Sequence, residues 1–227
     1  MPQTQPVLFV LTSHKDAGQG NEDSGFYLPE LTHPLHVLEE AGIATEFASV
    51  KGGEPPVYGV DLDDPVNKLY WENPEFHEKL KNTLMLEQAD ESRYSAVMYV
   101  GGHGVMWDFP DSAAVQRVTK NMYENGQIVA AVCHGPAALV NVRLSDGSWL
   151  VEGKNVAGFT DAEEIEIGMA EVVPFLLESS LKNHGALHHA AANWHEKVVT
   201  DGNLITGQNP QSATGVGQAI LAALQSQ

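Results

Sequence analysis

Short runs of consecutive apolar residues alternate along this chain with stretches whose apolar positions recur every three or four residues. "PVLFVLTS" (6–13), "ATEFASV" (44–50), "SAVMYVGGHG" (95–104), "QIVAAVCHG" (127–135) and "NVAGFT" (155–160) read as strands. Between them, 30–42 reads as a helix stopped at Gly42, and 111–126 as an amphipathic helix with an Asp-Ser start and a Gly stop. A long helix is expected within 161–184, a hairpin around Asp201-Gly202 over 197–207, and a closing helix over 215–225. Strands that are apolar at every position need cover on both faces, so the alternation predicts an α/β fold with a mainly parallel sheet. Ligands of such sheets bind beyond the carboxyl ends of the strands. Three predicted strand ends carry "GGHG", "CHGP" and "GFTDAEE". The acidic stretch 51–90 is too long for an ordinary connection and is expected to be an insertion with its own helix, serving as a lid or an oligomer contact.

Composition narrows the setting. The 227 residues fit one domain, 1–227, and at 43% hydrophobic they can bury a substantial core. Thirty acidic against 12 basic side chains give a net charge of -18 with no basic patch, which argues against nucleic acid as a partner. The single cysteine excludes an intrachain disulfide framework and favours a reducing compartment. No apolar run is long enough for a signal peptide or a membrane span, so a cytoplasmic protein without membrane contact is expected.

Candidate chemistry centres on Cys133. Placed at the end of the 127–132 strand, with Gly135-Pro136 opening a helix, it would sit on a sharp strand-to-helix turn among unpaired amides. Such a position lowers a thiol pKa and exposes the sulfur, whereas a buried structural cysteine has no need of the neighbouring His134. Zinc is disfavoured because neither H-E-x-x-H nor C-x-x-C occurs. His188, His189 and His195 match no familiar metal spacing and are expected on a solvated face. The glycines of "GGHG" allow close backbone approach to a ligand and suit part of an oxyanion hole.

Taken in order, "GFYLPELTHP", "GGHG", "AAVCHGPAAL", "GFTDAEE" and "LITGQNPQSA" resemble the DJ-1/PfpI superfamily, and within it the heat-shock protein 31-like branch that includes glutathione-independent glyoxalase III enzymes. The resemblance runs from about residue 6 to the C-terminus. It implies a flavodoxin-like three-layer sandwich, a homodimer and no cofactor. It also implies Cys133 as nucleophile, His134 as its imidazole partner, Glu30 as a carboxyl beside the sulfur, and the amides of Gly102 and His134 as oxyanion donors. For the acid that supports His134, the distance from "GFT" points to Glu164, with Glu163 beside it. A Thr160-x-x-Glu163 capping box would occupy Glu163 and leave Glu164 free; the shifted box, Asp161 with Glu164, is the competing assignment.

The activity so implied is that of a hydro-lyase of the lactate dehydratase class, detoxifying the 2-oxoaldehyde methylglyoxal to lactate through a cysteine hemithioacetal. The branch also implies a stress chaperone that binds unfolded clients. Three other functions compete: a holdase without glyoxalase activity, a redox sensor built on an oxidisable thiol, and a cysteine amidohydrolase or peptidase.

Overall fold

The computed structural model describes residues 5–18 and 24–226. Seven strands form its main sheet: β1 (Val7–Leu11), β2 (Thr45–Ser49), β3 (Leu84–Met85), β4 (Ala96–Tyr99), β5 (Ile128–Val132), β6 (Val198–Asp201) and β7 (Leu204–Gly207). Their order is β3-β2-β1-β4-β5-β7-β6, and every neighbouring pair is parallel except β6 against β7. The run β2-β1-β4-β5-β7 is the doubly wound order of flavodoxin-like folds, with its switch point between β1 and β4.

Every residue of β1, β4, β5 and β7 is buried, as strands covered on both faces must be. The helix Ala113–Glu124 covers one face with Val115, Val118 and Met122. On the other face, helices Leu28–Glu40 and Ala213–Gln225 pack closely on each other. A Cβ at Gly217 would lie 2.7 Å from the Pro34 Cα, so the two helices approach each other through a glycine.

The insertion 51–90 holds two helices, Pro65–Trp71 and Pro74–Lys81, each begun by a side-chain cap and a proline. It also supplies the edge strand β3 and the short strand Val57–Tyr58, which pairs in parallel with Phe26–Tyr27. The predicted hairpin forms, although its two loop residues are Gly202 and Asn203, because Asp201 still pairs with Leu204.

Four expectations need correction. The long helix over 161–184 is two short ones, Asp161–Glu166 and Leu177–Asn183; Gly168 at φ 74 and Pro174 interrupt it. The segment 155–160 does not join the main sheet. Its amides at Asn155 and Ala157 donate to the side chains of Asp201 and Thr206, and Asn155–Val156 pairs with Leu187–His188 instead. Pro136 is not a helical residue but precedes a four-residue helix, Ala137–Val140. His188 is not solvated: its side chain is 1% exposed and Nδ1 lies 3.6 Å from Glu178.

Candidate active site

The β5 strand pairs with β7 through to the amide of Cys133, which donates to the Gly207 carbonyl at 3.0 Å. There the chain turns abruptly. Cys133 has φ 60, the left-handed region that costs an ordinary residue about 1–2 kcal/mol. The Gly135 amide closes the turn onto the Val132 carbonyl at 2.7 Å, and a Cβ at position 135 would lie 2.4 Å from the Tyr99 carbonyl oxygen. The turn throws the Cys133 sulfur into a pocket of about 160 Å³ at the carboxyl end of the sheet.

His134 follows with Nδ1 3.4 Å from the sulfur, and its Nε2 lies 2.7 Å from Glu164 Oε2. The other carboxyl oxygen, Oε1, lies 2.9 Å from His103 Nε2. An ionised carboxylate only accepts, so both Nε2 atoms carry hydrogen. That tautomer leaves the His134 Nδ1 lone pair facing the thiol and the His103 Nδ1 lone pair facing the Tyr58 hydroxyl at 3.2 Å. The Tyr58 oxygen in turn accepts the His103 backbone amide at 3.2 Å. Burial alone would raise the Glu164 carboxyl, but the electrostatic attraction of the His134 N–H side and the hydrogen bonds of both imidazoles hold it down at about 2. Burial and the neighbouring His103 push the His134 pKa below its ordinary value, so the imidazole is neutral and able to accept a proton.

Glu164 takes this place because Glu163 is occupied. Thr160 and Glu163 form a reciprocal capping box at the start of Asp161–Glu166. Glu163 also accepts from the Trp194 amide, Gln208 Nε2 and Asn209 Nδ2. One residue on, the helix has turned by roughly 100° and directs Glu164 at the two imidazoles.

Glu30 lies in the first turn of Leu28–Glu40 and is fully buried. The Cys133 thiol and the Gly101 amide face its carboxyl, yet neither oxygen has a hydrogen bond of good geometry. Desolvation therefore dominates and pushes its pKa up to about 8, so it holds a proton at neutral pH. Gly101 is pressed against this pair: a Cβ there would lie 2.2 Å from Glu30 Oε2 and 3.0 Å from the Cys133 Cβ. The expected lowering of the thiol pKa is not what the structure gives. Burial and the nearby Glu30 carboxyl raise it, while the His134 amide opposes them. A four-residue helix behind the turn is too short to offset burial.

Gly102 adopts φ 107 because Gly25 and Phe26 crowd it; a Cβ would lie 2.5 Å from the Gly25 carbonyl oxygen. Among the described residues, no backbone carbonyl accepts the amides of Gly102 or His134. Cys133, His134, Glu30 and Glu164 thus share one cluster, whereas Gly102 packs against Gly25, Phe26 and Tyr27 and is not among the residues lining the pocket.

The pocket walls also include Tyr27, Tyr58, His103, Phe159 and Trp194, none of which stood out in the sequence. His103 lay in the noted "GGHG", but its partner Tyr58 comes from the insertion 45 residues earlier, and no local pattern couples them. Pro210 of the "NPQS" turn also lines the pocket. Just after "GGHG", Trp107 stacks on His14, and Asp108 accepts from Thr12 and Ser13.

His103, His134 and Glu164 bring three potential ligand atoms within 4.8 Å of one another. The same three groups form a hydrogen-bonded set in which both imidazole Nε2 atoms face the carboxylate. No described helix is long and apolar enough to cross a membrane.

The chain is 30% identical to Glyoxalase 3 of Candida albicans, over 96% of this chain and 98% of that protein. It is also 30% identical to the glutathione-independent glyoxalase HSP31 of Saccharomyces cerevisiae, over 96% and 97% of the two chains. The crystal structure of the Candida albicans glyoxalase III superposes with a TM-score of 0.89 at 29% identity, covering 97% of this chain and 98% of that one. The Rapid Encystment Protein 24 kDa of Francisella tularensis superposes at 0.94 and 38% identity, covering 97% and 99%. The sequence pattern of the DJ-1/PfpI family matches residues 23–164, a span reaching from just before Glu30 to Glu164; this protein belongs to the DJ-1/PfpI family.

Proposed function

We propose that this protein is a glutathione-independent glyoxalase that converts methylglyoxal and water to lactate. The observation that carries the reading is the hydrogen-bonded line Cys133–His134–Glu164 opening into a small, aromatic-walled pocket. The two relatives named as glyoxalases align over nearly the whole of both chains, which supports the choice of substrate class.

In the first step His134 Nδ1 takes the thiol proton and the Cys133 sulfur bonds the aldehyde carbon, giving a hemithioacetal. The new oxygen is met by the amides of Gly102 and His134 and takes the thiol's proton back from the His134 imidazole, which returns to its neutral form. His134 then moves the proton from C1 to C2 through an enediol, while the C1 hydroxyl proton passes to the oxygen on C2, leaving a thioester. Water cleaves the thioester, releasing lactate and restoring the thiol. Glu164 keeps His134 in the tautomer that has Nδ1 free, and neutral Glu30 can donate its proton as a hydrogen bond to sulfur or substrate.

The test is lactate formation from methylglyoxal without glutathione, by wild type and Cys133→Ala. Turnover by wild type that disappears in the variant is the expected result. Equal lactate from both would overturn the assignment.

A further inference from the structure

Among the described residues only two non-glycine positions have a positive φ, Cys133 at 60 and Trp194 at 61, and both line the same pocket. Strain of this kind persists only where the surroundings hold it. For Cys133 the reason is the presentation of the sulfur. Trp194 plays no part in the chemistry proposed above, and a bulky residue is a poor choice for a left-handed turn.

The surroundings hold it at both ends. The Trp194 amide donates to buried Glu163 Oε1 at 2.9 Å, and the indole Nε1 donates to Glu166 Oε1 at 3.0 Å. Glu163 and Glu166 belong to the short helix that also carries Glu164. The indole also continues a row of rings, with Phe159 5.8 Å from Trp194 and 4.3 Å from His134. The backbone is tied to a buried carboxylate and the half-buried ring to an exposed one, so both ends bias the indole towards the pocket wall. Space is also short. An apolar cavity of about 150 Å³ holds one benzene ring, and this pocket offers about 160 Å³ with a mouth open to solvent, so it is the wall at Trp194 that limits the substituent on that side.

We propose that Trp194 is a specificity-determining wall that sets the upper size of the substituent on the 2-oxoaldehyde, admitting a methyl group and rejecting an aryl ring. The proposal rests on the glyoxalase reading for its substrate class, but not for the wall itself.

Two readouts separate these. The first is kcat/KM for methylglyoxal and phenylglyoxal in wild type, Trp194→Gly and Trp194→Asn. Both replacements tolerate the left-handed backbone, which protects the fold. The ratio of phenylglyoxal to methylglyoxal turnover should rise at least about tenfold, the scale of discrimination a pocket wall supplies. The second is alkylation of Cys133, the one cysteine, by iodoacetamide and by N-phenylmaleimide. The maleimide rate should rise relative to the iodoacetamide rate in both variants. Unchanged ratios in both assays overturn the wall. If wild type converts neither oxoaldehyde, the glyoxalase reading falls and the alkylation ratio alone decides the wall.

Discussion

Glu30 and Glu164 are both buried against the same cysteine–histidine pair, at 0% and 2% exposure, yet they rest in opposite protonation states. Glu164 meets two imidazole N–H groups and is held at about 2. Glu30 meets no well-aligned donor and is raised to about 8. Burial penalises both charges, more heavily at Glu30; at Glu164 the two well-aligned imidazole donors and their electrostatic attraction outweigh it. One side of the cysteine therefore carries a fixed negative charge and the other a proton in reserve.

The hardest blow to this arrangement is Glu164→Gln. The amide offers one accepting oxygen to two imidazole donors and frees His134 to rotate. The expected loss in kcat is about 10²–10⁴-fold with KM little changed, measured as lactate formation at neutral pH. A loss confined to KM would remove Glu164 from the catalytic line.

Glu30→Gln tests the other side through pH. In the native protein Glu30 stays protonated up to about 8, whereas unfolded it titrates near 4.5. Between these values the native state holds the extra proton, so Glu30 makes stability fall as pH rises, by a few kcal/mol in total at about 1.4 kcal/mol per pH unit. Glu164 acts in the opposite sense, its stabilisation being lost as pH drops from 4.5 towards 2. Denaturant titrations from pH 5 to 8 should show the alkaline decline flattened in Glu30→Gln. The descending limb of kcat/KM near pH 8 should vanish with it. A variant that keeps both would mean that Glu30 is ionised at rest.

His103→Gln sharpens the comparison by removing one imidazole from Glu164. His134 then loses a repelling neighbour and its pKa rises, so the acid limb of kcat/KM should move to higher pH. The expected cost is about tenfold near pH 6, fading in the alkaline range. The smallest effect belongs to Tyr58→Phe, which leaves His103 in place without its hydroxyl partner. Thermal unfolding should show a loss of about 1 kcal/mol, and activity should fall only a few-fold.

The contrast between the two glutamates was only half legible in the chain. The Thr160–Glu163 box is local and favours Glu164 from the sequence, but the shifted box of Asp161 with Glu164 is equally legible there, and the structure shows the first. The strand-end position of Cys133 was legible for the same reason, since an all-apolar run followed by His-Gly-Pro has few readings. Glu30 looked like any acid in a first helical turn; its burial depends on Gly101 and Cys133, which arrive from distant strands. Tyr58 and His103 meet only because Val57–Tyr58 pairs with Phe26–Tyr27. The broken helix after Asp161 shows a different limit. The apolar spacing over 161–184 is helical, but Gly168 and Pro174 lie inside it and take precedence over periodicity.

The left-handed backbone at Cys133 has a consequence for anyone reshaping this scaffold. Glycine would adopt φ 60 without steric strain, but it would forfeit the contacts of a buried side chain and gain freedom in the unfolded chain, so folding free energy alone gives little reason to keep a cysteine there. Thermostability and turnover have to be selected together at this position, or the position has to be held fixed.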